Sequence, residues 1–153
     1  MITTLRTNSQ NNDFIALVKL LDADLKVTDG DDHSFYNQFN KIDAIKHVVV
    51  TYKNNIPVAC GAIKEYSQNT MEIKRMFTLT QYRGQGIAPI VLAELEKWTA
   101  ELSYQKCILE TGIKQLAAIQ LYKKNGYTII PNYGQYIGVE NSVCFVKLIK
   151  KRL

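Results

Sequence analysis

The sequence is poor in the residues that build metal centres and disulfide frameworks. Its 153 residues include three cysteines and two histidines. Cys60, Cys107 and Cys144 are odd in number, widely spaced and set among apolar neighbours, which reads as reduced core thiols. No CxxC or HxxxH spacing occurs. His33 and His47 stand alone and read as structural or exposed, and no metal site is expected. No apolar run approaches the ~18 residues of a membrane span. The first residues, MITTLRTNSQNNDF, lack a basic region followed by an apolar stretch, so the expectation is a cytoplasmic chain with no secretory signal and no membrane association. Charge of one sign is also modest, with 19 Lys+Arg against 14 Asp+Glu and a net charge of +5. A nucleic-acid partner is not expected, because such binders show a dense basic patch with interleaved aromatics. The one tight basic run, Lys147, Lys150, Lys151 and Arg152, reads as a solvated tail, and the surplus is compatible with a small anionic ligand.

What is present is the composition of a folded domain. Hydrophobic residues make up 46% and charged residues 22%, close to the globular average, which excludes disorder for the bulk of the chain. No repeat, low-complexity stretch or Pro/Gly/Ser-rich linker divides it, so residues 1–153 are expected to form one domain.

Hydrophobic periodicity gives the element order. Ile2 to Arg6 predicts a short strand. Asp13 is placed to cap a helix running to about Lys26, with Phe14, Leu17, Val18, Leu21 and Leu25 on its apolar face. An acidic stretch, Asp29 to His33, precedes a short second helix, Ser34 to Phe39. Val48 to Tyr52, Ile56 to Tyr66 and Met71 to Leu79 predict three strands joined by the turns Lys53-Asn54-Asn55 and Ser67-Gln68-Asn69, an antiparallel meander. A long helix follows Gly86, its stripe formed by Ile87, Val91, Leu92, Leu95 and Trp98. Pro89 is tolerated only in a helix's first turn, which fixes the start at the glycines. A strand over Cys107 to Glu110 and a helix over Gln115 to Lys124 come next, the helix ended by Asn125-Gly126. Tyr127 to Ile130 and Ser142 to Leu148 are the last strands. The order βα(α)βββαβαββ predicts an α/β (α+β) domain with a mixed, mostly antiparallel central sheet flanked by helices.

The most informative segment is Gln81-Tyr82-Arg83-Gly84-Gln85-Gly86-Ile87-Ala88, between a strand and a helix. Glycines let a ligand approach the backbone, and the unpaired first amides of the helix, with its dipole, make an anion site suited to a pyrophosphate. Arg83 adds a positive charge. A dinucleotide-binding GxGxxG is excluded because its third glycine position is Pro89, and a Walker A loop because no Gly-Lys-Ser/Thr occurs.

The remaining pattern, Gln/Arg-x-x-Gly-x-Gly/Ala carried by Gln81, Gly84 and Gly86, resembles the pyrophosphate loop of the GCN5-related N-acetyltransferase (GNAT) superfamily. Downstream, Glu110-Thr-Gly112 and Ala118-Ile119-x-Leu121-Tyr122-x-x-x-Gly126-Tyr127 resemble that superfamily's second conserved block. The likeness covers nearly the whole chain. It implies the same fold, acetyl-CoA as donor co-substrate, and a primary amine of a small molecule or peptide as acceptor. It implies that the backbone of Met76, Phe77, Thr78 and Leu79 pairs with the pantetheine arm, and that Arg83, Gly84, Gln85, Gly86, Ile87 and Ala88 hold the pyrophosphate. Relatives often carry Asn where this chain has Gln115, which can make similar hydrogen bonds with a longer reach. Dimers are common in proteins resembling this one, so the resemblance admits a homodimer, while the sequence leaves the oligomeric state open.

By the same resemblance, Tyr122 would protonate the departing CoA sulfur and Glu72 would act as general base, with Glu110 or ordered water as rivals. Direct attack needs no covalent intermediate, so Cys107 and Cys144 have no required role. Arg75, charged within an apolar strand, would bind an acceptor carboxylate or pair with Glu72 or Glu110. The acidic residues Asp29, Asp31 and Asp32 would attract an amine cation or stay solvated. Tyr133 and Tyr136 would wall the acceptor pocket or pack as a turn. A different acyl donor, or a CoA-binding module without catalysis, are the competing functions.

Overall fold

Alternating β-branched and aromatic residues joined by tight polar turns build a seven-stranded sheet. The computed structural model describes residues 1–29 and 44–149. In order, the elements are β1 (Ile2–Thr7), α1 (Asn12–Asp29), β2 (His47–Lys53), β3 (Ile56–Ser67), β4 (Thr70–Thr78), α2 (Ile87–Glu101), β5 (Lys106–Gly112), α3 (Leu116–Lys124), β6 (Thr128–Ile130) and β7 (Ser142–Leu148). The expected helix over Ser34 to Phe39 falls outside the described residues, as do Asp31, Asp32, His33 and the basic residues Lys150 to Arg152. The sheet order is β1-β2-β3-β4-β5-β7-β6. Every neighbouring pair is antiparallel except β4 and β5, so the expected mixed, mostly antiparallel sheet is found.

Helices cover both faces. On one, α1 places Phe14, Leu17, Val18 and Leu21 against Val48, Val50, Cys60, Ala62 and Phe77. On the other, α2 places Ile87, Val91, Leu92 and Leu95 against Val49, Ile63, Ile73 and Leu109, joined by Tyr122 and Tyr127. All three cysteines are buried free thiols.

Two local expectations are corrected. Asn11, not Asp13, caps α1: its Oδ1 accepts the Phe14 amide at 2.9 Å, because the helix begins two residues earlier, at Asn12, and the amide of its first turn lies over residue 11. Asp13 instead accepts a 2.6 Å hydrogen bond from the Tyr52 hydroxyl. Lys147 is not part of a solvated tail: its Nζ donates to Glu96 Oε1 at 2.8 Å and to the Asn125 carbonyl at 2.9 Å.

The central irregularity lies in β4. Cys60 pairs with Phe77 and Ala62 with Lys74, so Arg75 and Met76 together face Gly61, a β-bulge. Arg75 takes φ +61°, a left-handed conformation that disfavours a residue with a Cβ by ~1–2 kcal/mol. Gly61 makes room for it: a Cβ there would lie 2.5 Å from Met76 Sδ. On its other side β4 pairs with β5 only through Thr70 to Glu72. Beyond Glu72 the two strands part, and a seam opens in the sheet.

Candidate active site

The glycine loop forms one end of this seam. A turn over Thr80–Tyr82 leads to Gly84 and Gly86, at φ +76° and +78°. Gly86 caps α2 in the left-handed region, and Pro89 sits in the first turn as expected. A Cβ added at either glycine would meet nothing within 4 Å, so the loop is a cradle facing open space beside the unpaired amides of α2. It borders a cavity of about 690 Å³ whose walls also include Met76, Phe77, Thr78, Ala88 and Leu121. That volume falls in the ~300–1,000 Å³ range of ligand sites. Arg83 donates from Nε to the Thr78 carbonyl at 2.9 Å and from Nη2 to Asp24 Oδ2 at 2.8 Å.

Two members of the expected cofactor set sit differently. Leu79 lies past the end of β4, its amide bonded to the Val58 carbonyl at 2.8 Å. Gln85 accepts from Lys53 Nζ at 2.9 Å. Neither lines the cavity.

A smaller cavity of about 140 Å³ lies deeper in the seam, bordered by Glu72, Arg75, Glu110 and Tyr136. Met76, Gln115, Ala118 and Tyr122 border both cavities, as do Leu21 and Leu25 of α1. Tyr122 therefore stands at their junction. Its ring is fixed edge-on by Tyr127 at 5.8 Å and tilted against Phe145 at 5.9 Å. Burial, reinforced by the negative charge of Glu110, raises its pKa well above the ordinary tyrosine value, so the hydroxyl keeps its proton at neutral pH.

Glu72 is buried in β4 at 8% exposure. Its Oε2 accepts a 2.6 Å hydrogen bond from the Tyr133 hydroxyl, and Lys74 Nζ lies 3.5 Å from Oε1. Burial, then the charge of Glu72, pushes the Tyr133 pKa up. Tyr136 is raised by burial, then by Glu110 and Glu72. Glu110 Oε2 accepts from Ser142 Oγ at 2.7 Å. Arg75 Nη1 reaches Asp22 Oδ1 at 3.2 Å.

Those pairings were not foreseen. Arg75–Asp22, Arg83–Asp24 and Tyr133–Glu72 join residues 53, 59 and 61 positions apart, and no local spacing reports such contacts. The role of α1 had a signal: Leu21, Leu25 and Thr28 recur at helical spacing and border the larger cavity. The cysteines border neither cavity. Burial raises the Cys60 thiol to about 12 and Cys107 to about 11. His47 packs edge-on against Trp98 at 4.8 Å, outside both cavities. No described helix is long and apolar enough to cross a membrane.

A sequence model of the acetyltransferase (GNAT) family matches residues 14–127. An IAA acetyltransferase of Azospirillum brasilense is 32% identical over 89 residues. That match spans 58% of this chain and 58% of the relative, less than two thirds of its length. A structure from Klebsiella pneumoniae subsp. pneumoniae MGH 78578, assigned as an acyl-CoA N-acyltransferase, superposes with a TM-score of 0.82 at 28% identity, over 98% of this chain and 99% of that one. The PaiA N-acetyltransferase from Thermoplasma acidophilum, solved with coenzyme A, superposes with a TM-score of 0.72 at 16% identity, over 97% of this chain and 99% of that one, a likeness of fold.

Proposed function

The chain belongs to the acetyltransferase (GNAT) family, and from that premise we propose that residues 1–153 form a single domain that moves the acetyl group of acetyl-CoA onto the primary amine of a small molecule or peptide. The observation that most supports this reading is the position of Tyr122 between the two cavities. The larger would take the coenzyme and the smaller the acceptor.

Bound there, acetyl-CoA supplies an activated acetyl thioester. Gly84 and Gly86, the first amides of α2 and Arg83 receive the pyrophosphate. From Met76 to Thr78, β4 is unpaired with β5 and, among the described residues, has no other strand on that side, so its backbone groups would be available to the amides of the pantetheine arm. Gln115, at the head of α3, offers a side-chain amide to the same arm. Glu72 takes one proton from the acceptor ammonium, directly or through water, and frees the nitrogen lone pair. A nitrogen–carbon bond forms as the carbon–sulfur bond breaks. Tyr122 gives its phenolic proton to the leaving sulfur and is restored by the second proton lost from the nitrogen. Free thiol, the acetylated amine and one proton on Glu72 result.

Thiol release from acetyl-CoA, measured against amines, amino acids and short peptides, tests the proposal. One acceptor class should turn over, and Tyr122→Phe should lower kcat by ~10²-fold with little change in acetyl-CoA affinity. Absence of thiol release with every acceptor, or of acetyl-CoA binding by calorimetry, refutes it.

A further inference from the structure

Glu72 is held from behind the cavity that it borders. It lies on the wall of the small cavity, yet the hydroxyl bonded to its Oε2 at 2.6 Å belongs to Tyr133, which borders neither that cavity nor the larger one. The bond ties β4 to the loop between β6 and β7, 61 positions away. Its length is that of a strong, charge-assisted hydrogen bond. Burial, then the charge of Glu72, raises the Tyr133 pKa, so the phenol keeps its proton and donates it to the carboxylate. The second oxygen, Oε1, lies 3.5 Å from Lys74 Nζ, and Lys74 borders the small cavity as Glu72 does.

The phenol is itself fixed. Its ring meets Tyr66 edge-on at 5.1 Å and Tyr136 edge-on at 5.8 Å. The Tyr136 amide donates to the Tyr133 carbonyl at 2.9 Å, and Asn132 Nδ2 donates to the Val139 carbonyl at 2.8 Å, which closes the loop into a turn. Gly134, at φ +52°, brings that turn against Tyr66, whose hydroxyl would lie 3.3 Å from an added Cβ. Ring contacts and turn thus fix the hydroxyl independently of Glu72. A reacting side chain is held in one rotamer by supporting residues that are themselves locked in this way.

We infer that Tyr133 is a positioning residue for the transfer: it secures the Glu72 carboxylate by Oε2 and so turns Oε1 to the acceptor ammonium, without touching either substrate. The inference rests on the acetyl-transfer reading of the site, with Glu72 as its base. A base works only within hydrogen-bond reach of the proton it takes, and a carboxylate free to change rotamer spends much of its time out of reach. The proton lost by the ammonium goes to Oε1, while the Tyr133 proton stays on the phenol throughout.

Tyr133→Phe tests this, because it keeps the ring with both edge-on contacts and removes only the hydroxyl. With an acceptor that turns over, it should lower kcat by about 10- to 100-fold, leaving the acceptor KM and the acetyl-CoA Kd within about twofold of wild type. In a Glu72→Gln background, read by single-turnover thiol release, the same substitution should cost less than about twofold, because an amide that takes no proton gains nothing from being aimed. An unchanged kcat in Tyr133→Phe overturns the inference. So does a loss of the same size in the Glu72→Gln background, which is what a purely structural role produces, and so does a Glu72→Gln rate equal to wild type. The acetyl-transfer reading survives all three results. If no acceptor releases thiol, that reading falls by itself, and the hold of Tyr133 on Glu72 is judged by 13C NMR of carboxyl-labelled glutamates in the free protein, the Glu72 signal being identified by its loss in Glu72→Gln. A signal displaced by Tyr133→Phe upholds the hold, and one that stays in place overturns it.

Discussion

Gly84→Glu separates the folding role of the glycine loop from the pyrophosphate-binding role proposed for it. At φ +76°, with no atom within 4 Å of an added Cβ, a side chain at this position meets only left-handed backbone strain, about 1–2 kcal/mol. For a chain of this size that lowers Tm by roughly 2–8 °C, at ~2–4 °C per kcal/mol. Gly84→Ala carries the same strain, so the two variants should melt together. They should differ in binding. A carboxylate ~4 Å from a phosphate charge is opposed by about 1 kcal/mol in water and ~4 kcal/mol at an effective dielectric of 20. The loop is exposed at Gly84, which favours the lower figure, and a pyrophosphate brings two charges. A net loss of about 2–4 kcal/mol follows, or ~30- to 1,000-fold in Kd for acetyl-CoA. Alanine opposes the phosphates by bulk alone and should lose less. Calorimetry at low salt and at 1 M salt checks this, because the gap between the variants is electrostatic and a Debye length of ~3 Å screens it. A Gly84→Glu affinity within twofold of wild type, or a gap indifferent to salt, would refute the placement of the pyrophosphate on this loop.

Other substitutions and conditions probe the frame around the site. Gly61→Ala would set a Cβ 2.5 Å from Met76 Sδ, 2.8 Å from Val91 Cγ1 and 2.9 Å from Leu95 Cδ1. Met76 can swing aside, but Val91 and Leu95 are fully buried, so about 1–3 kcal/mol of stability should go; an unchanged urea midpoint would show that the bulge needs no glycine opposite. Glu96 accepts from both the Tyr127 hydroxyl and Lys147 Nζ at 2.8 Å. Glu96→Ala should therefore remove ~1–3 kcal/mol, with partial recovery in Glu96→Gln, as read by chemical denaturation. Stability should also fall in alkali. Burial raises Cys107 from 9.0 to about 11 and Cys60 from 9.0 to about 12, and burial with the Asp13 bond raises Tyr52 from 10.0 to about 12. These groups favour folding fully below pH ~9, and the contribution is lost as pH climbs from there towards 12, because the unfolded chain releases protons that the folded one retains. A urea midpoint that stays level from pH 8 to 11.5 would contradict this.

The fold was legible because its signals are local. β7 was read to the residue, Ser142–Leu148, where alternation runs unbroken between a loop and the end of the sheet. The start of α2 was legible from Pro89, which admits one register relative to the glycines. Asn54 and Asn55, both at positive φ, form the tight turn that their identity favours. Asp13 misled because Asn11 and Asp13 are both good capping residues in neighbouring positions, and only the path of the chain chooses between them.

The site divides along the same line between near and far. The loop at Gly84 and Gly86 and the helix of Tyr122 were legible as segments, since the chemistry of each is contained in a few consecutive residues. Arg75 was visible as a charge in an apolar strand, and Gly61 as a glycine in another. That the two face each other across a bulge depends on counting residues from both turns of the meander. A slip of one residue in β4, between Lys74 and Phe77, is what places Arg75 against Asp22. The departure of β4 from β5 after Glu72 rests on a parallel pairing, for which no short turn in the sequence sets the register. The seam that holds both cavities is thus a product of register on its two sides. For that reason the part of the candidate site built on one loop and one helix was legible as segments in the sequence, while the part assembled from α1, β4, β5 and the loop of Tyr133 and Tyr136 required the folded chain.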